Sequence, residues 1–203
     1  MPRATSLLPI FVLGCASAPA PVPPGRAAPK PPAVLATPRL EDLVRGDLAD
    51  DHALAWSPQR LTWSDFQGAP PAEGSEGAKT SYALYSAWRC RGTRFEFRVI
   101  AGFRPRQSWV KAVVLQDTAQ RGAVLSHEQT HFDLAEVHAR MMRGTFGALT
   151  SPCRKTDQEL SALAERLVQA EKAEQRRYDA ETNHGLRVAE QAAWNASVAR
   201  RLR

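Results

Sequence analysis

Five consecutive residues, His127-Glu128-Gln129-Thr130-His131, carry the most chemistry in this chain. On a helix, histidines four apart leave the same face one turn apart, so both imidazoles reach a single metal ion. A glutamate beside the first histidine suits a general base that takes a proton from water acidified by the metal. The pattern points to zinc and metal-assisted hydrolysis, with His127 and His131 as ligands and Glu128 as catalytic base. The alternative is a buried helix carrying two hydrogen-bonded histidines.

A catalytic zinc needs a third protein ligand and keeps one position for water. His138 shares the helical face, but seven residues of rise carry it about 10 Å beyond His131, against a zinc–nitrogen bond of about 2 Å. No glycine between them turns the chain back. Glu136 points to the far side of the helix, while Glu165 and Glu171 fall on the next helix and offer a carboxylate ligand. The segment Tyr178-Asp179-Ala180-Glu181-Thr182-Asn183-His184-Gly185 is a better source. It is polar and ends in glycine after a helix, where the chain can fold back onto the motif. His184 is the expected third ligand. Asp179 is the other candidate, as a ligand or as the partner that orients a ligand imidazole. Tyr178 either packs or hydrogen-bonds a developing oxyanion. A fourth protein ligand would instead close the site into a non-catalytic zinc module.

The elements that must hold these residues follow from periodicity. The aromatics of Trp56-Ser57-Pro58 and Leu61-Thr62-Trp63-Ser64-Asp65-Phe66 read as core plugs, followed by a Gly/Pro/Ala loop through Gly77. Thr80 to Cys90 reads as a strand that turns at Arg91-Gly92-Thr93. Beyond the turn, Phe95, Phe97, Val99, Ala101 and Phe103 alternate with Arg94, Glu96 and Arg98, the period of a half-buried strand, so the two form an antiparallel hairpin. Trp109 to Leu115 is expected to add a third strand. Asp117 with Gln120 fits a capping box that opens the motif helix, whose stripe is His127, His131, Leu134, His138 and Met141. A second box, Thr156 with Glu159, opens a helix with Leu160, Leu163, Leu167 and Ala170 inward. The chain breaks at Asn183-His184-Gly185, and a last helix carries Trp194, Val198 and Leu202. A small sheet followed by helices is an α+β pattern, over 39–203, that suits a metallohydrolase of the zincin type.

The N-terminus points to export. Arg3 precedes the apolar run Leu7-Leu8-Pro9-Ile10-Phe11-Val12-Leu13, far short of the roughly 20 residues that span a bilayer. Residues 1–14 therefore read as a signal peptide, and Val12-Leu13-Gly14-Cys15 resembles a bacterial lipobox in which Cys15 takes the lipid. The Ala/Pro-rich stretch from Cys15 to residue 38 cannot bury a core and reads as a tether. No aspartate follows Cys15, which favours the outer membrane over the inner. The domain is expected in the periplasm, held to the envelope by its lipid. Cys90 and Cys153 then form a pair that an oxidising compartment would join as a disulfide. The net charge of +6 comes from scattered basic residues without an aromatic-interleaved stripe, which argues against nucleic acid as a partner.

Several of these strings together resemble one family of exported bacterial proteins, the domain of unknown function nine hundred and twenty-two, regarded as zinc-dependent proteases. They are Trp56-Ser57-Pro58, the Leu61–Phe66 segment, Ser108-Trp109-Val110-Lys111 and the motif through Asp133. Tyr178-Asp179, Thr182-Asn183-His184-Gly185, Gln191 and Trp194 complete the set, and the likeness covers most of residues 55–203. The resemblance implies a zincin-like peptidase domain acting on a peptide or protein substrate. The combined expectation is a lipid-anchored zinc metallopeptidase.

Overall fold

The computed structural model describes residues 37–203. The expected signal peptide, the lipidated Cys15 and all but the end of the tether lie outside the described residues. The fold is α+β, with a small antiparallel sheet and several helices. In order it comprises α1 (Leu40–Asp50), β1 (Leu54–Ala55), β2 (Ala78–Lys79), β3 (Tyr82–Arg91), β4 (Arg94–Phe103) and β5 (Trp109–Val110). Then follow α2 (Ala112–Gln116), α3 (Arg121–Gly147), α4 (Asp157–Thr182) and α5 (Val188–Arg201).

The expected hairpin forms the sheet. β3 and β4 pair antiparallel from Tyr82↔Phe103 to Arg91↔Arg94, leaving a two-residue turn at Gly92-Thr93. Gly92 sits at φ +60°, which a two-residue turn with glycine first requires. Alternation then sends side chains to opposite faces. Tyr82, Leu84, Trp88, Phe95, Phe97, Val99, Ala101 and Phe103 join the main core against α3. Ala83, Tyr85, Ala87 and Ile100 face the other way, where Val44 and Leu48 of α1 cover them. Leu40, Val44 and Leu48 recur every fourth residue, the helical signal for this cover. Phe146, at the far end of α3, stacks on Phe97 with ring centroids 4.0 Å apart and is almost fully buried. Truncating such a ring to alanine costs about 3–5 kcal/mol.

Three expectations are corrected. Only Trp109 and Val110 of the expected third strand are extended, and they pair with β2 in a separate two-stranded sheet. The chain from Ala112 is already helical, and the third strand beside the hairpin is β1, paired with β4. Asp117 does not cap the motif helix. Its Oδ1 accepts from the backbone N–H of Ala119 and Gln120 and shapes the turn between α2 and α3, so α3 begins at Arg121. Met141 is 49% exposed, and its neighbour Met142 is buried. α3 serves two cores at once, and at this end the face of Ala135, Ala139, Met142 and Phe146 on the sheet is the covered one.

α4 starts as expected, with Thr156 Oγ1 accepting from Glu159 N–H and the Glu159 carboxylate accepting from Thr156 N–H. It stops where Asn183, His184 and Gly185 take φ of 48°, 53° and 84°. Tyr178 joins Leu134, Val137, Trp194 and Val198 in a second core among α3, α4 and α5. A disulfide joins Cys90, at the end of β3, to Cys153, between α3 and α4. A loop closed over 63 residues removes unfolded-state entropy equivalent to about 4 kcal/mol on the chain-entropy account. No helix among the described residues is long and apolar enough to cross a membrane.

Candidate metal centre

The rotation of α3 about its axis is fixed from behind the motif. Gln129 and Asp133 lie on the face away from the histidines. Gln129 Oε1 accepts from Leu61 N–H at 2.7 Å, and Asp133 Oδ1 accepts from the Trp56 indole at 2.9 Å and from Gln129 Nε2 at 2.8 Å. The tryptophan-bearing front segment is thereby pinned to the motif helix, which turns His127 and His131 towards α4 and α5. Thr80, just beyond β2, donates to the Glu128 carbonyl.

The two imidazoles are gripped at Nδ1. His131 Nδ1 lies 2.6 Å from Gln175 Oε1, and His127 Nδ1 lies 3.1 Å from Gln191 Oε1. An amide oxygen only accepts, so each Nδ1 carries a hydrogen, and in the neutral imidazole each Nε2 presents a bare lone pair. Those two Nε2 atoms are 3.1 Å apart. Asp179 Oδ1 lies 3.2 Å from one and 3.0 Å from the other. Two atoms bonded to one tetrahedral zinc at about 2.0–2.1 Å stand about 3.3 Å apart, so this triangle has the edge length of a shared cation. Asp179 Oδ1 is buried and has no hydrogen-bond partner, and the same is true of Glu128 Oε2. With both imidazoles neutral, the three converging lone pairs repel one another unless a positive charge, a metal ion or a proton, stands between them. The residues present therefore fit a zinc ion.

His184 stands at the edge of this group. Its Nδ1 is 3.7 Å from Asp179 Oδ1, and its side chain is 67% exposed. His127, Asp179 and His184 each place a ligand atom within 4.8 Å of the others. The reversal after α4 makes this approach possible. A Cβ on Gly185 would stand 3.2 Å from Cβ and Cγ of His127, so both the positive φ and the close contact call for glycine.

Charge adds to the pattern. Among the described residues, Glu128, Glu171 and Asp179 have no Lys or Arg within ion-pair distance, whereas Glu136 meets Arg140 and Arg143. Burial disfavours the charged form of Asp179, but hydrogen bonds and charge from the two imidazoles, when each carries a proton on Nε2, more than offset this and hold its carboxyl well below the usual range. Burial likewise opposes charge on His131, and Asp179 and Glu128 outweigh it and raise the imidazole pKa. Without a metal, the cluster attracts a proton in its place.

The structure thus brings His127, His131 and Glu128 together with both candidates from the end of α4. Asp179 completes the tight triangle and His184 lies just outside it. Tyr178 packs: it is fully buried, its ring stacks on His127, and its hydroxyl donates to Gln191 Oε1. Burial pushes its phenol pKa up. His138 bonds Glu174, 2.6 Å away. Glu165 accepts from Gln169 on the helix surface, and Glu171 accepts from Tyr82 and Gln175. Gln175 escaped the sequence reading. Its signal is a polar residue on a buried stripe, because Leu160, Ala164, Glu171, Gln175, Tyr178 and Thr182 recur at helical spacing.

No curated protein and no solved structure matches the chain. The model of one family, bacterial protein of unknown function (DUF922), matches residues 65–185. That span runs from the Asp65 turn through the motif helix to Gly185, and the chain belongs to this family.

Proposed function

We propose that this chain is an exported, zincin-like, zinc-dependent peptidase tethered to the envelope through Cys15. His127 and His131 hold the metal with Asp179, and His184 lies beside them. The observation that carries the reading is the triangle of bare lone pairs, together with the partnerless oxygens of Asp179 and Glu128. Zinc bound there supplies Lewis acidity, which acidifies water and polarises a carbonyl. Glu128, 5% exposed and adjacent in sequence to His127, takes the proton of the attacking water on its free Oε2 and passes it to the leaving amine. Gln175 and Gln191 hold the two imidazoles in place. Thr80 and the Trp56 segment hold the helix that carries them.

A second reading has a specific observation behind it. With His184 Nδ1 3.7 Å from Asp179 Oδ1, four protein ligands could close the site and make it a scaffold. One experiment addresses both: metal quantification of protein purified without chelator, paired with a proteomic cleavage screen of wild type against Glu128→Gln. The peptidase reading expects stoichiometric zinc in both proteins and turnover lower by roughly 10²–10⁴-fold in the variant, the usual contribution of a general base. Equal cleavage by the two proteins removes Glu128 from the chemistry. Bound zinc without any cleavage favours the scaffold, and wild type free of metal refutes both.

A further inference from the structure

Gln175 does more than fill space behind His131. Its Nε2 donates to the His131 backbone carbonyl at 3.0 Å and to Glu171 Oε1 at 2.8 Å. A backbone carbonyl can only accept, so the amide cannot be turned over, and Oε1 is the atom that faces His131 Nδ1 at 2.6 Å. Glu171 is held in turn, because its Oε1 also accepts from the Tyr82 hydroxyl at 2.6 Å. A continuous chain of bonds therefore runs from β3 through α4 to the imidazole on α3. Glu171 and Gln175 are both buried, so each lost bond would leave a polar group without water.

Residue type matters at every link. Leucine or methionine at 175 would strand the Nδ1–H and take a donor from buried Glu171. Glutamate there would set a second carboxylate against Glu171. Only a side chain with one acceptor and two donors satisfies all three neighbours. We propose that Gln175, held by Glu171 and Tyr82, is the positioning residue that fixes His131 as its Nδ1–H tautomer and aims the bare Nε2 at Asp179 and His127. The consequence for metal affinity rests on the zinc reading above; the tautomer itself does not.

The test uses full-length protein stripped with chelator, at alkaline pH, and reads the side-chain nitrogen resonances of His131 by two-dimensional NMR. Wild type should carry the hydrogen on Nδ1. Gln175→Met should lose that preference while keeping the metal-free fold by circular dichroism. Titration with Co²⁺ in competition with a chromophoric chelator should then give an affinity roughly 10–100-fold lower for the variant, the usual effect of removing a partner that orients a metal ligand. Its visible absorption band should shift as well. A hydrogen on Nε2 in wild type overturns the inference, and this arm stands even if the variant does not fold. A folded Gln175→Met with unchanged tautomer and Co²⁺ affinity overturns it too. Wild type that holds the Nδ1–H tautomer but binds no Co²⁺ refutes the metal reading while the positioning role survives.

Discussion

Three histidines of α3 face two carboxylates of α4, His138 at Glu174 and the His127–His131 pair at Asp179, and the two groups have opposite character. His138 Nε2 meets Glu174 Oε2 at 2.6 Å, and Arg201 grips both Glu174 oxygens at 2.7 and 2.9 Å, with Arg177 beside them at 3.2 Å. Every lone pair there has a donor, so the cluster is a clamp that ties α3, α4 and α5 together. One and a half turns further along α4, Asp179 Oδ1 meets two bare Nε2 atoms and has no donor. The difference lies in α5. Its last turn delivers Arg201 to the first group, and its first turns deliver only neutral Gln191 to the second. The same residue types make a structural lock where an arginine arrives and leave a partnerless carboxylate oxygen where none does.

Zinc should separate the two clusters most. At a thousandfold excess over its dissociation constant, a ligand stabilises the folded state by about 4 kcal/mol. For a domain of this size that is roughly a 10 °C rise in Tm. Scanning calorimetry with and without zinc should find most of this rise absent in Asp179→Asn and intact in Glu174→Gln. His184→Ala, at the exposed edge of the group, should forfeit less of it than Asp179→Asn. If the order of those two variants is reversed, His184 takes the place of Asp179 in the triangle.

Chelator should reverse which variant matters. Removing one member of a fully buried ion pair costs about 3–5 kcal/mol; Arg201 is partly exposed, so Glu174→Gln should cost about 2 kcal/mol. In the metal-free protein Asp179→Asn should cost less, because Asp179 has no arginine partner and its side chain is 29% exposed. Urea unfolding in chelator measures both. A larger loss for Asp179→Asn would make that residue a structural partner and erase the contrast.

Much of this was legible in the residues, and the gaps have physical causes. The hairpin and the Thr156 cap are local patterns, set by alternation along one strand or by four consecutive residues. The motif histidines are likewise local, one turn apart on one helix. The Cys90–Cys153 pairing followed from there being no other partner left. The choice between Asp179 and His184 was not local. It depends on how a left-handed reversal after Thr182 sets the end of α4 against α3, and spacing alone places both residues near the motif. Gln175 was hidden for a different reason. Its side chain contacts a histidine 44 positions away, and only the tertiary fold shows that its stripe faces the site. The strand expected over Trp109–Leu115 failed because buried Trp109 and half-buried Val110 at its start carried the pattern, while the chain beyond them turns helical.

The smallest effect is an acid one, and it has a definite sign. Burial pushes the Glu174 carboxyl up, but the Arg201 and His138 hydrogen bonds outweigh it and hold the pKa at about 2, against 4.5 for the free group. A folded-state value below the unfolded one contributes stability that is complete above about pH 4.5 and fades as pH falls towards 2. Glu174→Gln should flatten the fall of urea-unfolding stability with acid in that window. The metal cluster should answer acid at higher pH, because its imidazoles must be neutral to hold zinc and regain protons as the metal leaves. Zinc-loaded wild type should therefore lose stability in two steps. Chelator should remove the first and spare the second, and Glu174→Gln should weaken the second and spare the first. A single acid step that both treatments alter alike would mean that the two histidine–carboxylate clusters are not the separate devices their geometry describes.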